Sequence, residues 1–169
     1  MISKKTVSIV IPNYNGKHLL EKYLPHTLQA IQNANVAYEI IIVDDCSKDD
    51  SAGFITSQYP ELTLICNAQN KGFSYTCNQG INIARMELIL LLNSDVKLSP
   101  DYFKAQWKYF LKPDTFGVMG RITDMDGPGI QDAARMPRQN GLKLKTAWFY
   151  YTADQQEVTT LYLLSLIHI

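Results

Sequence analysis

The chain has 169 residues, a length that suits one domain with a sizeable hydrophobic core. Its 16 lysine and arginine residues equal its 16 aspartate and glutamate residues, so the net charge does not indicate a nucleic-acid partner or an anionic membrane surface. The three cysteines, Cys46, Cys66 and Cys77, lack Cys-x-x-Cys spacing, which argues against a disulfide framework and against a structural zinc site.

The apolar segments of the sequence do not predict a membrane span or a signal peptide. The longest apolar windows, around Leu88–Leu92 and Leu161–Ile169, fall far short of the roughly 20 residues that a bilayer requires. The apolar run after Lys4 and Lys5 is interrupted at Pro12 and lacks a small-residue cleavage site. Together with reduced thiols, this pattern predicts a cytoplasmic protein.

Short apolar runs that are rich in β-branched residues predict strands separated by helices. In chain order the predicted strands are Val7–Pro12, Glu39–Val43, Leu62–Cys66, Leu88–Leu92 and Phe116–Gly120. Helical patterns follow the first three strands, over His18–Asn35, from about Ser51 to Tyr59, and over Ser74–Ala84. This alternation predicts an α/β fold with a mostly parallel sheet and helices on both faces.

Local patterns also predict where helices end and where a loop lies. The first helix has one apolar stripe, formed by Leu20, Leu24, Leu28 and Ile31. Pro25 should end or kink the first half of that helix, and Asn33–Asn35 should close it. A later helix is predicted to begin at Ser99 and to bury Phe103, Trp107 and Leu111. The segment from Asp124 to Gly141 lacks clean periodicity, which predicts a long functional loop.

Polar side chains follow three of the predicted strands. They are Asn13 and Tyr14 after the first strand, Asp44 and Asp45 after the second, and Asn93, Ser94 and Asp95 after the fourth. Ligands of open α/β sheets bind beyond the carboxyl ends of strands, so these side chains should meet at one edge. Carboxylates held there would suit Mg²⁺ or Mn²⁺, the cations that accompany diphosphates. From the residues alone, the acids could equally be helix or turn caps.

These motifs resemble the nucleotide-sugar half of the family 2 glycosyltransferases. The segments that carry the resemblance are Val7–Asn15, Ile41–Ser47, Asn70–Phe73 with Asn78–Gly80, and Leu91–Asp95. The resemblance covers residues 7 to about 122 and is closest to the rhamnosyltransferase-like branch. It implies the GT-A fold and an inverting transferase that uses a nucleoside-diphosphate sugar with Mn²⁺ or Mg²⁺. It further implies a glycan or lipid-linked hydroxyl acceptor, a role in cell-surface polysaccharide synthesis, and a location at the inner face of the membrane.

The resemblance assigns a base pocket to the first two strand ends. Pro12 and Tyr14 would flank the base, and an aromatic ring offers a stacking face. Asp45, with Asp44 beside it, would accept a hydrogen bond from the ring N–H of uracil or thymine. The implied donor is therefore a UDP- or dTDP-sugar.

The resemblance assigns the phosphate and metal contacts to later residues. Asp95 would be the main protein ligand of the cation, with Asn93 and Ser94 binding the nucleotide sugar. Asn93 stands where the family's Asp-x-Asp motif has a carboxylate, so metal affinity should be weaker than with two acids. Lys71 and Asn78 would approach the sugar phosphate, although an exposed lysine is equally often a solvated one.

The general base of the reaction is not assigned. Inverting relatives carry it on a downstream acidic motif, and no carboxylate follows Glu157. We therefore expect residues 1–169 to form a single GT-A-type domain with an incomplete acceptor half, about 123–169, and a base beyond the chain. The apolar segment Leu161–Ile169 predicts pairing with an edge of its own sheet or a homodimer.

Other functions fit parts of the pattern. A nucleotide-sugar-binding module without catalysis is the main alternative, because the base is missing. The Val43-Asp44-Asp45 sequence also resembles a phospho-acceptor receiver domain, but the third strand ends in Asn67 where a receiver needs an aspartate. A nucleotidyltransferase would need a basic, glycine-rich first loop, which the chain lacks.

Overall fold

The computed structural model describes residues 5–120 and the backbone of three further strands, 133–140, 143–150 and 166–168. The strands are β1 (Val7–Asn13), β2 (Tyr38–Asp44), β3 (Thr63–Cys66), β4 (Leu88–Leu91), β5 (Gly117–Met119), β6 (Ala133–Asn140), β7 (Lys143–Tyr150) and β8 (Leu166–His168). The α-helices are α1 (Lys17–Ala34), α2 (Ser51–Gln58) and α3 (Phe73–Ile83). The predicted alternation of strands and helices up to β4 is confirmed.

The chain divides into two compact units, Met1–Val118 with Ser165–Ile169, and Met119–Leu164. In the second unit, β6 and β7 form a two-stranded antiparallel sheet. The prediction of a single domain over residues 1–169 stays a prediction. In the described part of the chain, no helix is long and apolar enough to cross a membrane.

The main sheet has the strand order β3-β2-β1-β4-β8-β5. β1 pairs in parallel with β2 and with β4, and β2 pairs in parallel with β3, whereas β8 runs antiparallel to β4. The chain thus moves outward from β1 through β2 to β3 and then returns to the other side of β1 for β4. Such a reversal opens a crevice at the carboxyl ends of the two central strands.

Helices cover both faces of this sheet, as predicted. Successive strand residues point to opposite faces. Ile9 of β1 therefore joins the apolar cluster that contains Leu20 of α1, while Val10 joins a second cluster on the other face. On that second face α3 packs so closely that a Cβ at Gly80 would overlap the Val10 side chain and lie 3.1 Å from Val43 Cγ2.

The helix α1 continues through Pro25 to Ala34, so Pro25 does not end it, and the helix closes at Asn35, as the sequence predicts. A proline inside a helix removes one backbone hydrogen bond and crowds the preceding turn. The buried stripe extends on both sides of the proline, with Leu24 before it and Ile31 after it. Packing of this stripe on the sheet outweighs the local cost.

The predicted helix after Ser99 is wrong, because the chain forms consecutive turns and a 3₁₀ helix at Tyr109–Leu111. The backbone hydrogen bonds of this segment join residues three apart, for example from Gln106 N–H to Phe103 O. A three-residue spacing moves the last buried position back by one. Phe110 is accordingly 8% exposed and Leu111 is 55% exposed, while Phe103 and Trp107 are buried as predicted.

The predicted loop from Asp124 to Gly141 is wrong for residues 133–140, which form β6. Pairing with β7 decides this, since strand formation depends more on cross-strand partners than on local propensity. Residues 124–132 lie outside the described residues.

Near the end of the chain, β8 pairs with β4 and lies between β4 and β5. Of the two predicted fates of the Leu161–Ile169 segment, the structure therefore shows pairing within its own sheet for Leu166–His168.

Candidate functional site

The carboxyl ends of the four parallel strands lie at one edge of the sheet. Asn13 at the end of β1 is in register with Asp44 of β2, which is in turn in register with Cys66 of β3. Leu92 N–H donates to Val10 O at 2.9 Å and extends β4 alongside β1. The structure thus brings the polar residues that follow β1, β2 and β4 to the same edge. The reversal of strand order between β1 and β4 places the expected ligand crevice at this edge.

Asp44 is buried and holds the first two strand ends together. Its Oδ2 accepts hydrogen bonds from Asn13 Nδ2 at 2.8 Å and from the Ser47 hydroxyl, and its Oδ1 accepts from Ser47 N–H at 2.9 Å. A carboxylate has about four acceptor sites, and its own chain uses three of those of Asp44. Asp44 therefore fixes the end of β1 and the loop after β2 relative to each other.

Asp45 is also buried, and it faces the start of α3. Its Oδ1 accepts from Asn67 Nδ2 at 2.8 Å and from Lys71 N–H at 2.9 Å, and its Oδ2 accepts from Gly72 N–H at 2.8 Å. Burial acts to raise the pKa of the Asp45 carboxyl, but these donors, with Thr76, outweigh it and lower the pKa below its ordinary value. Asp45 is thus held as a carboxylate.

The loop that presents Tyr14 is fixed on both sides. Asn15 N–H donates to Ser47 Oγ at 2.8 Å, and Asn15 Oδ1 accepts from Lys48 N–H at 2.7 Å. Lys17 N–H, at the start of α1, donates to Asp49 Oδ2 at 2.9 Å. The Tyr14 side chain is 50% exposed on this fixed loop. An aromatic ring is therefore available at the edge as a stacking surface.

The other predicted site residues differ in exposure. Pro12 is buried, Asn93 and Ser94 are half-buried, and Lys71, Asn78 and Asp95 are exposed. Lys71 Nζ lies 6.0 Å from the centre of the Tyr75 ring. The Lys71 side chain thus lies over an aromatic ring, while its backbone N–H contacts Asp45.

The described residues contain no group of three or more histidine, cysteine or acidic side chains that could hold a metal by itself. One exposed carboxylate, Asp95, follows β4, with amide and hydroxyl oxygens on Asn93 and Ser94. Mg²⁺ is commonly bound by one or two carboxylates and completed by water and substrate phosphates. The oxygen atoms of Asp95, Asn93 and Ser94 therefore fit a cation whose remaining ligands are water and the phosphates of a nucleoside diphosphate.

Sequence reasoning missed two residues that organise the site. Asn67 holds Asp45, and Ser47 links Asp44 to the Tyr14 loop. Asn67 directly follows β3, so the strand-end rule that selected the acids also applied to it. Ser47 lies within the motif Ile41–Ser47, but its partners are not evident from spacing.

Solved structures of two other proteins resemble this chain. S. aureus TarS, residues 1–349, aligns with a TM-score of 0.62 at 18% identity over 77% of this chain and 41% of its own. A Pyrobaculum calidifontis mannosyltransferase, PcManGT, solved with GDP-Man and Mn²⁺, aligns with a TM-score of 0.62 at 19% identity over 72% of this chain and 36% of its own. At such identities the likeness shows the fold, and the predicted GT-A architecture is confirmed.

Curated relatives are more similar in sequence. An undecaprenyl-phosphate 4-deoxy-4-formamido-L-arabinose transferase from Photorhabdus laumondii is 34% identical over 85% of this chain and 41% of its own length. A dolichol-phosphate mannosyltransferase from Pyrococcus furiosus is 32% identical over 56% of this chain and 27% of its own length. The chain thus spans less than half of either relative. Neither is named as a rhamnosyltransferase, so that branch stays a prediction. The family model for Glycosyl transferase family 2 matches residues 8–167, and the chain belongs to that family.

Proposed function

We propose that this chain binds the sugar donor of an inverting glycosyltransferase, which transfers a sugar from a nucleoside diphosphate to a glycan or lipid-linked acceptor. The observation that carries the proposal is the convergence of Tyr14, Asp45 and Asp95 on one sheet edge, beside the crevice between β1 and β4. Family membership supports it, since both relatives are named as transferases. Because these relatives are named as transferases, a nucleotide-sugar-binding module without catalysis is a weaker alternative than an enzyme.

The base pocket in this proposal lies between Pro12, Tyr14 and Asp45. The exposed Tyr14 ring supplies a face for stacking, and Asp45 supplies a carboxylate for the ring N–H of uracil or thymine. Because Asp45 already accepts from Asn67, Lys71 and Gly72, a bound base would share the carboxylate with them. Recognition of the base is thereby coupled to the loop that precedes α3.

Asp95 would be the main protein ligand of Mn²⁺ or Mg²⁺ in this proposal, with Asn93 and Ser94 beside it. A bound cation would stabilise negative charge on the departing nucleoside diphosphate. Lys71 precedes α3 and Asn78 lies in the middle of that helix; both are exposed and would approach the sugar phosphate. With one carboxylate, the site should depend on the ligand's phosphates for affinity.

The reaction would be a single displacement at the anomeric carbon. The acceptor oxygen forms the new bond, the bond to the diphosphate breaks, and a general base takes the acceptor proton. Asp44 and Asp45 are poor candidates for that base, since both are buried and engaged by donors of their own chain. We assign the base to neither. The relatives' polyprenyl-phosphate names favour a lipid-linked acceptor, and such an acceptor would place the reaction at a membrane surface.

Calorimetric titration of the chain with UDP, dTDP, GDP and ADP, in manganese and in excess chelator, tests this function. We expect UDP or dTDP to bind, and manganese to raise that affinity by about tenfold or more, equivalent to about 1.4 kcal/mol. Asp95→Asn should remove the gain. Glu61→Gln, an exposed acid ahead of β3 at the opposite edge, is the matched control and should keep it. Absence of nucleotide binding by the unmodified chain would refute the proposal.

A further inference from the structure

The amide oxygen of Asn13 is a buried acceptor that receives no hydrogen bond in the described part of the chain. The residue is 2% exposed, and its Oδ1 is buried without a hydrogen-bond partner among the described residues. Buried polar atoms are nearly always paired, so each exception calls for an explanation. Asn13 lies at the end of β1, where the crevice begins.

The orientation of the Asn13 amide is determined by its nitrogen. Nδ2 donates to Asp44 Oδ2 at 2.8 Å and to Ser47 Oγ at 3.3 Å. Rotating the amide by half a turn would place Oδ1 against the Asp44 carboxylate, where two acceptors repel each other. Oδ1 is therefore held away from Asp44 as a fixed acceptor.

Gly16 and Ser94 border the space in front of this acceptor. A Cβ at position 16 would overlap Asn13 Oδ1 and would lie 3.5 Å from Ser94 Oγ. Gly16 thus leaves space next to both oxygen atoms that the Cβ of any other residue would fill. The Ser94 hydroxyl can donate one hydrogen bond, and it belongs to the turn that carries Asp95.

We propose that Asn13 is a positioning residue: when a nucleoside diphosphate and its cation bind, the Ser94 hydroxyl donates to Asn13 Oδ1. This inference rests on the proposed function. The hydrogen bond ties the turn that carries Asp95 to Asp44 and Ser47 on the base side of the pocket. Formation of this bond satisfies the buried acceptor only in the bound state, so it favours binding. Asn13 need not touch the ligand.

A double-mutant cycle on nucleotide affinity tests the link. UDP and dTDP affinities in manganese are measured for the unmodified chain, Asn13→Ala, Ser94→Ala and the double variant. A net hydrogen bond is worth about two- to tenfold in an equilibrium constant, so each single variant should weaken binding by that factor. The loss of affinity in the double variant should be smaller than the product of the two single losses, since both changes remove the same bond.

Asn13→Ala also removes a contact to Asp44, and the cycle separates this loss. If Asn13→Ala weakened binding only through Asp44, its effect would be the same whether residue 94 is serine or alanine. The losses of the two single variants would then multiply in the double variant. Ser94→Thr keeps a hydroxyl and should bind within about twofold of the unmodified chain, which a purely steric role of Ser94 would not produce. Multiplicative effects, or a Ser94→Ala variant that binds like the unmodified chain, would overturn the inference alone. If the unmodified chain binds no nucleotide, the proposed function and this inference fall together.

Discussion

Replacing Asp45 by asparagine tests whether this carboxylate organises the start of α3. The change keeps the size of the side chain but replaces an acceptor oxygen by an amide nitrogen that faces the N–H groups of Lys71 and Gly72. Hydrogen bonds to charged groups are worth about 1.5–3 kcal/mol each, and water can reach this exposed loop and recover part of the loss. We therefore expect the free energy of unfolding to fall by about 2–3 kcal/mol at neutral pH.

The effect should depend on pH with a defined sign. The hydrogen bonds lower the folded-state pKa of Asp45 below its ordinary value of 3.8, even though burial opposes this. A lowered folded-state pKa contributes stability that is fully present above the unfolded-state pKa and is lost as the pH falls through the folded-state pKa. Asp45→Asn removes this contribution. The stabilities of the unmodified chain and the variant should thus converge as the pH falls below about 4.

Urea unfolding monitored by circular dichroism at neutral pH and at a series of acid pH values measures this difference. Asp95→Asn is the control, because Asp95 is exposed and should change stability by less than about 0.5 kcal/mol. A difference for Asp45→Asn below about 0.5 kcal/mol, or one that stays constant into acid, would refute the reasoning.

Further changes test the packing and the pocket. Gly80→Ala should lower the free energy of unfolding by about 1–3 kcal/mol in urea, because the new Cβ meets Val10; in an exposed helix the same change is stabilising. Phe110→Ala should cost about 3 kcal/mol or more and Leu111→Ala less than about 0.5 kcal/mol in the same assay, and the reverse order would contradict the 3₁₀ register. Tyr14→Ala should weaken UDP binding by about 1–3 kcal/mol in calorimetry without changing stability, and unchanged affinity would exclude stacking.

Local sequence patterns determined the strands and helices up to β4. The runs Ile9–Pro12 in β1 and Ile40–Val43 in β2 are buried on both faces, so their residues are apolar without interruption and are followed at once by polar ones. The position of Asp44 and Asp45 at a strand end can therefore be read from the chain. The same holds for Asp95, since strand ends in an α/β fold share one edge.

Tertiary structure decided the partners of those side chains. Asp45 contacts residues 22 to 27 positions away, and Asp44 contacts Asn13 across 31 positions. Spacing along the chain does not specify such contacts, because they depend on how parallel strands align. The Asn13 amide oxygen likewise lacks a hydrogen-bond donor because Asp44 and Ser47 fix the amide through its nitrogen.

Three elements of the fold share this physical reason. α1 passes Pro25 because its buried stripe packs on the sheet, and residues 133–140 form a strand because β7 pairs with them. The turn after Ser99 follows a three-residue spacing that places Phe110 in the core. In each case contacts between distant parts of the chain outweigh a local preference worth about 1–3 kcal/mol, and only the folded structure contains those contacts.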